Sequence, residues 1–273
     1  MTFDPVLLAQ LTALLVVIGA FAGVVAGLLG VGGGIVLVPA FFYLFTALGY
    51  GGAQVMQVCL ATSLATIIVT SARSVQSHNR RGAVEWPILR GWALGIGIGA
   101  VIGVLTAAML RSVVLQGIFG VLGVLIGLWL AFGRADFRLG NTMPTGPLRG
   151  VIASAVGFLS VLMGIGGGSL GVPLMTLYGM PIHRAVATAA GFGILIAVPS
   201  VLFFLFVPVA DAPPLTIGAV NLPAFGVVVA MTLITAPWGA KLAHALDATP
   251  LKRVFAAFII LMALNMLRKA LGW

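Results

Sequence analysis

Apolar residues run along this chain in long, nearly unbroken stretches, and polar residues are confined to short gaps. Runs near 54–75, 86–109 and 113–132, and again near 185–207, 222–244 and 250–269, each approach or exceed the ~20 residues that carry a helix across a bilayer. Two longer stretches, about 8–48 and 150–180, are interrupted by glycine at their middles. Glycine weakens a helix interior by roughly 1 kcal/mol per residue, and each stretch is too long for one span. Each is therefore expected to fold back as two helices or half-helices. The apolar/polar alternation of a transmembrane barrel is missing from the sequence. The pattern predicts an all-α polytopic membrane protein.

Composition strengthens that reading. The 273 residues are 61% hydrophobic and 7% charged, whereas a soluble domain carries about 25% charged residues. The net charge of +9 could suggest a nucleic-acid partner. The basic residues instead sit in the short gaps between apolar runs, as the positive-inside rule requires, so no nucleic acid is expected. Cys59 is the only cysteine, which excludes an internal disulfide. The segment Met1 to Val6 lacks Lys and Arg and carries Asp4, so it does not read as a cleaved signal peptide. Three separated histidines and one cysteine give no metal site, no hydrolase constellation appears, and neither a cofactor nor enzyme activity is expected.

The chain repeats itself. Gly27-Leu-Leu-Gly30-Val-Gly32-Gly33-Gly34 with Pro39 answers Gly164-Ile-Gly166-Gly167-Gly168 with Pro173. Leu60-Ala61-Thr62-Ser63 answers Val186-Ala187-Thr188-Ala189, Gly103 answers Gly239, and Leu115 with Phe119 answers Leu251 with Phe255. The expected organisation is a first repeat over 1–132, a polar linker over 133–149 and a second repeat over 150–273. Each repeat is a Gly-broken helical hairpin followed by three spans. A hairpin returns to its starting side, so three further spans give an odd number of crossings and the two repeats must be inverted. Charge agrees. With the 77–82 loop cytoplasmic, Arg73, Arg80, Arg81, Arg90, Arg134, Arg138, Arg149, Arg184, Lys241, Lys252 and Arg253 fall on or near that side. Only Arg111, Arg268 and Lys269 fall outside, a bias of eleven to three in the required direction. Both termini are then periplasmic. Inverted repeats with discontinuous helices are a recurring transporter plan, with substrate near the midplane between the halves.

The repeated Gly-x-Gly-Gly-Gly hairpin, the Ala-Thr-Ser/Ala segment and Arg81-Gly82-Ala83-Val84-Glu85-Trp86 together resemble the TauE/SafE sulfite exporter family. Gly218-Ala219-Val220-Asn221 resembles the second-repeat form of that last motif, and Ala236-Pro237-Trp238-Gly239-Ala240-Lys241-Leu242 the family's later Gly-Ala-Lys/Arg-Leu element. The resemblance covers nearly the whole chain and rests on the order and duplication of the motifs. It implies a bacterial inner-membrane permease for a small sulfur-containing anion such as sulfite, a sulfonate or thiosulfate. The lipid bilayer is the other expected partner, and the plan is compatible with a homodimer.

For such an anion the candidate site is the pair of glycine breaks, Gly30, Gly32, Gly33 and Gly34 with Gly164, Gly166, Gly167, Gly168 and Ser169. Glycine lets backbone N–H groups approach a ligand, and a break leaves free donors at the start of the next half-helix, where the dipole favours an anion. The alternative is that these glycines serve only close helix crossing. Gly95, Gly99 and Gly103, four residues apart, are read as packing. Thr62, Ser63 and Thr188 occupy matched places and are candidate donors, or hydroxyls bonded back to their own helix. Gln57 and His183 are matched at the starts of the next helices, and His183 is also a candidate protonation switch. Arg73, near the end of an apolar span, is either a pathway cation or a snorkelling anchor. The carboxylates Asp4, Glu85, Asp136, Asp211 and Asp247 all lie near expected membrane edges, so a carboxylate proton relay has no candidate. The leading reading is an exporter working by alternating access around a midplane site. An importer of organosulfonate or thiosulfate, an anion channel and a membrane scaffold remain as alternatives.

Overall fold

The computed structural model describes residues 5–29, 33–133, 138–245 and 248–272, with side chains at 5–11, 28–29, 240–241, 243–245, 248–252 and 254–255 outside that description. Its helices in the first half of the chain are α1 (Pro5–Leu29), α2 (Gly34–Ala47), α3 (Val55–Asn79), α4 (Trp86–Met109) and α5 (Ser112–Phe132). The second half gives α6 (Gly146–Met163), α7 (Gly168–Leu177), α8 (Ile182–Phe204), α9 (Leu222–Ala245) and α10 (Ala248–Ala270). The described chain is helical apart from loops and one two-stranded antiparallel hairpin, β1 (Thr216–Ile217) with β2 (Val220–Asn221). That hairpin lies where the sequence suggested only a loop, because strands of two residues carry no readable alternation.

Six described helices are long and apolar enough to cross a membrane: α3, α4, α5, α6, α8 and the Leu222–Gly239 part of α9. The two long stretches are each divided into two helices, α1 with α2 and α6 with α7. α2 has 14 residues and α7 has 10, rises of only about 21 and 15 Å, so neither crosses about 30 Å of hydrocarbon. α6 begins at Gly146, with Pro147 in its first turn, a turn earlier than hydropathy suggested. Proline suits a first helical turn because its missing N–H would be unpaired there anyway.

α3 and α8 are the most buried of the candidate spans and pack on each other at the centre. Short α2 lies on α3, and short α7 on α8. Around them α1 packs on α9, α4 on α6, and α5 on α10. Exchanging each helix for its counterpart five elements away maps this set of contacts onto itself. Directions follow from particular pairs. Gly120, Gly123 and Gly127 meet Leu267, Ala263 and Ile260 in that order, so α5 and α10 are antiparallel. The segment after α3 bonds to the start of α8 at Thr188, and the segment after α8 bonds to α3 near its start at Thr62. α3 and α8 are thus antiparallel as well.

Glycine sets the interhelical distances. A Cβ added at Gly99 would lie 2.0 Å from the Ser154 carbonyl oxygen, one at Gly157 2.2 Å from that of Ile96, and one at Gly239 2.1 Å from that of Val24. Backbones in such contact need small residues, the usual device in hydrocarbon, where no hydrophobic force presses helices together. Gly95, Gly99 and Gly103 are therefore packing residues, seated on Ala153, Ser154 and Phe158 of α6. The outer faces carry Leu94, Met109, Phe132 and Phe206, each at least three-quarters exposed. So much bare apolar surface fits a lipid solvent and not water.

Along the chain the described arginines Arg73, Arg80, Arg81, Arg90, Arg138, Arg149, Arg184 and Arg253 sit at or near the end of the bundle where α4, α6, α8 and α10 begin. Arg111, Arg268 and Lys269 sit at the other. Arg134 and the side chains of Lys241 and Lys252 lie outside the described residues.

Gly99→Val must push α4 off α6. It is expected to lower the thermal midpoint in detergent by about 5–10 °C, from an overpacking penalty of ~1–3 kcal/mol. Gly97→Val, whose added Cβ meets nothing within 4 Å, is expected to leave the midpoint unchanged.

Candidate functional site

The second break runs from the end of α6 to the start of α7. Gly164 closes α6 with φ 61°, a left-handed conformation that side chains disfavour. The first break ends at Gly33, also left-handed at φ 73°. Gly30 and Gly32 lie outside the described residues. The two breaks touch. A Cβ on Gly34 would sit 2.6 Å from the Gly164 carbonyl oxygen and 3.0 Å from Ile165 Cα. Ser63 of α3 donates to that same Gly164 carbonyl at 2.7 Å. Gly167 is pressed onto α8, where a Cβ would meet Phe192 Cβ at 2.3 Å and the Ala189 carbonyl oxygen at 2.6 Å. Gly166 and Gly168 are buried beside it. The glycines at the breaks thus permit close crossing and also bring the free N–H groups of α7's first turn into the protein interior.

Two buried hydroxyls flank the second break without a hydrogen-bond partner: Ser160, one turn before Gly164, and Ser169, in the first turn of α7. An unsatisfied buried hydroxyl costs about 1–3 kcal/mol. Ser169 also borders an apolar cavity of about 250 Å3 against α5, formed with Leu122, Ile126 and Trp129. Ser160 was not among the residues the sequence suggested. Its signal would have been a lone hydroxyl one turn before a helix-ending glycine.

The matched threonines hold the halves together. Thr62 Oγ1 accepts from the Asn221 N–H at 3.0 Å, and Thr188 Oγ1 accepts from the Glu85 N–H at 3.0 Å. The two bonds are counterparts, because Glu85 and Asn221 occupy the same place in Gly-Ala-Val-Glu and Gly-Ala-Val-Asn, and Gly82 and Gly218 are both left-handed there. Asn221 caps α9 by accepting from the Ala224 N–H at 3.0 Å, and its amide donates to the Pro214 carbonyl and to Thr216. Glu85 is ion-paired with Arg184. Neither threonine bonds back to its own helix in these contacts; each spans the two halves of the chain.

Other suggested residues lie apart from the breaks. Gln57 is fully buried and donates from its amide to the Ala107 and Leu110 carbonyls, fastening the start of α3 to the end of α4. His183 is exposed at the start of α8, and Arg73 is exposed on α3. Among the described residues no three His, Cys, Asp or Glu side chains gather as a metal site would require.

Six helices long and apolar enough to cross a membrane, around an interior where two helix breaks meet, give the class of a multi-pass membrane protein. The family model described as "Sulfite exporter TauE/SafE" matches residues 15–266, and the chain belongs to that family. It is 32% identical to a "Probable membrane transporter protein" of Haemophilus influenzae over 259 residues, 94% of this chain and 98% of that one. It is 35% identical to the "Probable membrane transporter protein YunE" of Bacillus subtilis over 196 residues, 64% and 71% of the two chains. A Methanocaldococcus jannaschii protein named in the same way is 24% identical over 265 residues, 94% and 96% of the chains. These relatives are named as transporters, not enzymes. No solved structure matches the chain.

Replacing either threonine by valine keeps the shape and removes the acceptor. Thr62→Val is expected to cost about 1–3 kcal/mol, because it strands the buried Asn221 N–H. Thr188→Val, which strands the half-buried Glu85 N–H, is expected to cost less. Urea or thermal unfolding of the two variants in one detergent checks the order.

Proposed function

We propose that the protein exports sulfite, or a closely related small sulfur oxyanion, by alternating access around the junction of two inverted repeats over 1–132 and 150–273. The observation that carries this reading is the junction itself. Gly34 lies on Gly164, and Ser160 holds a buried, unpartnered hydroxyl one turn before that break. In the proposed bound state the anion takes hydrogen bonds from Ser160 and from the first-turn N–H groups of α7. Gly33, Gly34, Gly164, Gly166, Gly167 and Gly168 let the backbone come that close. Ser63 fixes the Gly164 carbonyl, turning it away from the anion. Gly30 and Gly32, outside the described residues, belong to the proposed site by their sequence correspondence to Gly164 and Gly166.

What supports inversion is the antiparallel run of counterpart helices, α3 with α8 and α5 with α10. What supports placing the arginine-rich end in the cytoplasm of a bacterial inner membrane is the positive-inside rule. The described carboxylates Glu85 and Asp211 both lie at helix ends or in loops, which favours uncoupled efflux. A monovalent anion leaving a negative interior gains roughly 2.3 kcal/mol per 100 mV.

Ser160→Ala separates stability from function. Removing an unsatisfied hydroxyl is expected to leave the thermal midpoint unchanged or slightly higher. The same change is expected to raise the KM for sulfite efflux from proteoliposomes about tenfold, one hydrogen bond of roughly 1.4 kcal/mol. An unchanged KM rejects the site. Clamping and then reversing the potential is expected to reverse the net flux. Flux that ignores potential and follows a proton or sodium gradient rejects uncoupled export. A rate that fails to saturate and shows no counterflow identifies a channel instead.

A further inference from the structure

Three helices begin around one open cleft. The first turns of α4, α6 and α8 wall a cavity of about 520 Å3 at the arginine-rich end, and the segment 141–145 borders it. None of the three helices has a side-chain cap hydrogen bond at its N-cap residue, Glu85, Thr145 or Pro181. Each N-terminus carries a partial positive charge of about half a unit. Those of α6 and α8 also present free N–H groups, whereas at α4 Pro87 has no N–H and the Trp86, Ile88 and Leu89 N–H groups are bonded to the Val84 and Glu85 carbonyls. Two guanidinium groups line the same cleft, Arg149 and Arg184. They differ in their partners. Arg184 is ion-paired with Glu85, while Arg149 has no carboxylate within ion-pair distance among the described residues. Arg149 is half-buried, and its guanidinium lies against the α4 backbone at Gly91, where an added Cβ would be 3.0 Å from Nη1. One carboxylate and the C-terminal end of α7, which also borders the cavity, against two guanidiniums and three helix N-termini leave the cleft positive, and its walls concentrate the field.

The floor of the cleft points towards the glycine junction. Trp92 lines the cavity and stacks on Phe192, with centroids 6.1 Å apart and planes 21° from parallel. Phe192 in turn lies against Gly167 and Gly171 of α7. Two buried rings are thus all that this line of contacts places between the cleft and the second break.

We propose that this cleft is a second anion site, an antechamber that takes a small oxyanion from the adjoining solution, with Arg149 as the binding cation. The N-termini of α6 and α8 supply further donors, and Glu85 keeps Arg184 out of competition for the ligand. The volume exceeds what sulfite needs, so the antechamber admits thiosulfate and small organosulfonates too. Its link to transport rests on the proposed function; its anion binding does not.

Trp92 is a built-in reporter. Replacing Trp86, Trp129, Trp238 and Trp273 by Phe leaves it as the single tryptophan, in nanodiscs of neutral phosphatidylcholine. Iodide, an anionic quencher, is compared with neutral acrylamide. Arg149→Gln is expected to lower the iodide quenching constant at least threefold and to leave acrylamide quenching unchanged. Millimolar thiosulfate is expected to protect Trp92 from iodide in the parent but not in Arg149→Gln. Equal iodide quenching in parent and variant overturns the proposal, as does a joint fall with both quenchers, which reports a closed cleft and not a lost charge. Protection by anionic phosphatidylglycerol without protection by thiosulfate also overturns it, assigning Arg149 to a lipid headgroup. A parent protein that binds thiosulfate at Trp92 but moves no anion leaves this site standing and removes the proposed function.

Discussion

A helix broken inside hydrocarbon frees backbone N–H and C=O groups that no water can satisfy, so the protein must supply their partners or a ligand must. The rest of this bundle is organised around that demand. At the second break the Gly164 carbonyl is met by Ser63 of α3. The same break is buried from the other side by the Gly34 backbone. Neither contact survives a larger residue at Gly34 or Gly164, so the glycines are fixed by packing before any ligand is considered. The N–H groups of α7's first turn and the Ser160 and Ser169 hydroxyls lack such partners. A fold that satisfies the carbonyl side and leaves donors open is suited to an anion. Packing and the proposed binding are therefore not competing explanations for these glycines; the same close approach serves both.

The same economy appears one layer out. Thr62 and Thr188 accept the backbone N–H of the residue that leads into α9 and α4, each from the opposite half of the chain. These two bonds tie the central antiparallel pair, α3 and α8, to the helices that flank it. Rocking one half against the other would have to stretch or exchange them. Their counterpart positions are not chemically equal, since Asn221 caps its own helix with its side chain while Glu85 turns outward to Arg184. The arginine-rich end carries the open cleft, and the opposite end carries the β1–β2 hairpin with its Asn221 cap. The asymmetry lies in these two side chains and in the β1–β2 hairpin, which the segment between α3 and α4 lacks.

Much of the architecture could be read from hydropathy, because a lipid solvent makes each span a long apolar run with a polar stop. α4 and α9 fall within a residue of where the apolar runs end. The division of each long stretch was also legible, since glycine lies at its middle, but the sequence left open whether the second pieces, α2 and α7, cross the membrane. α3 runs a turn further than its apolar stretch, because Gln76, Ser77 and His78 extend the helix past the hydrocarbon. What stayed hidden was pairing. Nothing local to Thr62 signals a partner 159 residues away, and a hydroxyl in an apolar helix reads equally as a donor or as a back-bonded group. Gln57 showed the same limit from the other side: it is buried as a donor should be, but spends its amide on the end of α4. Ser160 went unread because its importance comes from lacking a partner, a property that only a folded neighbourhood defines.

The central claim is that a small oxyanion rests on the open donors at the glycine junction. Selenite matches sulfite in shape and charge type and carries an anomalous scatterer, so crystals of the protein grown with selenite test the claim directly. The account predicts an anomalous selenium peak within hydrogen-bonding distance of the Ser160 hydroxyl and the first N–H groups of α7, and its loss on competition with sulfite. A junction without selenium, at a concentration that saturates transport, contradicts it.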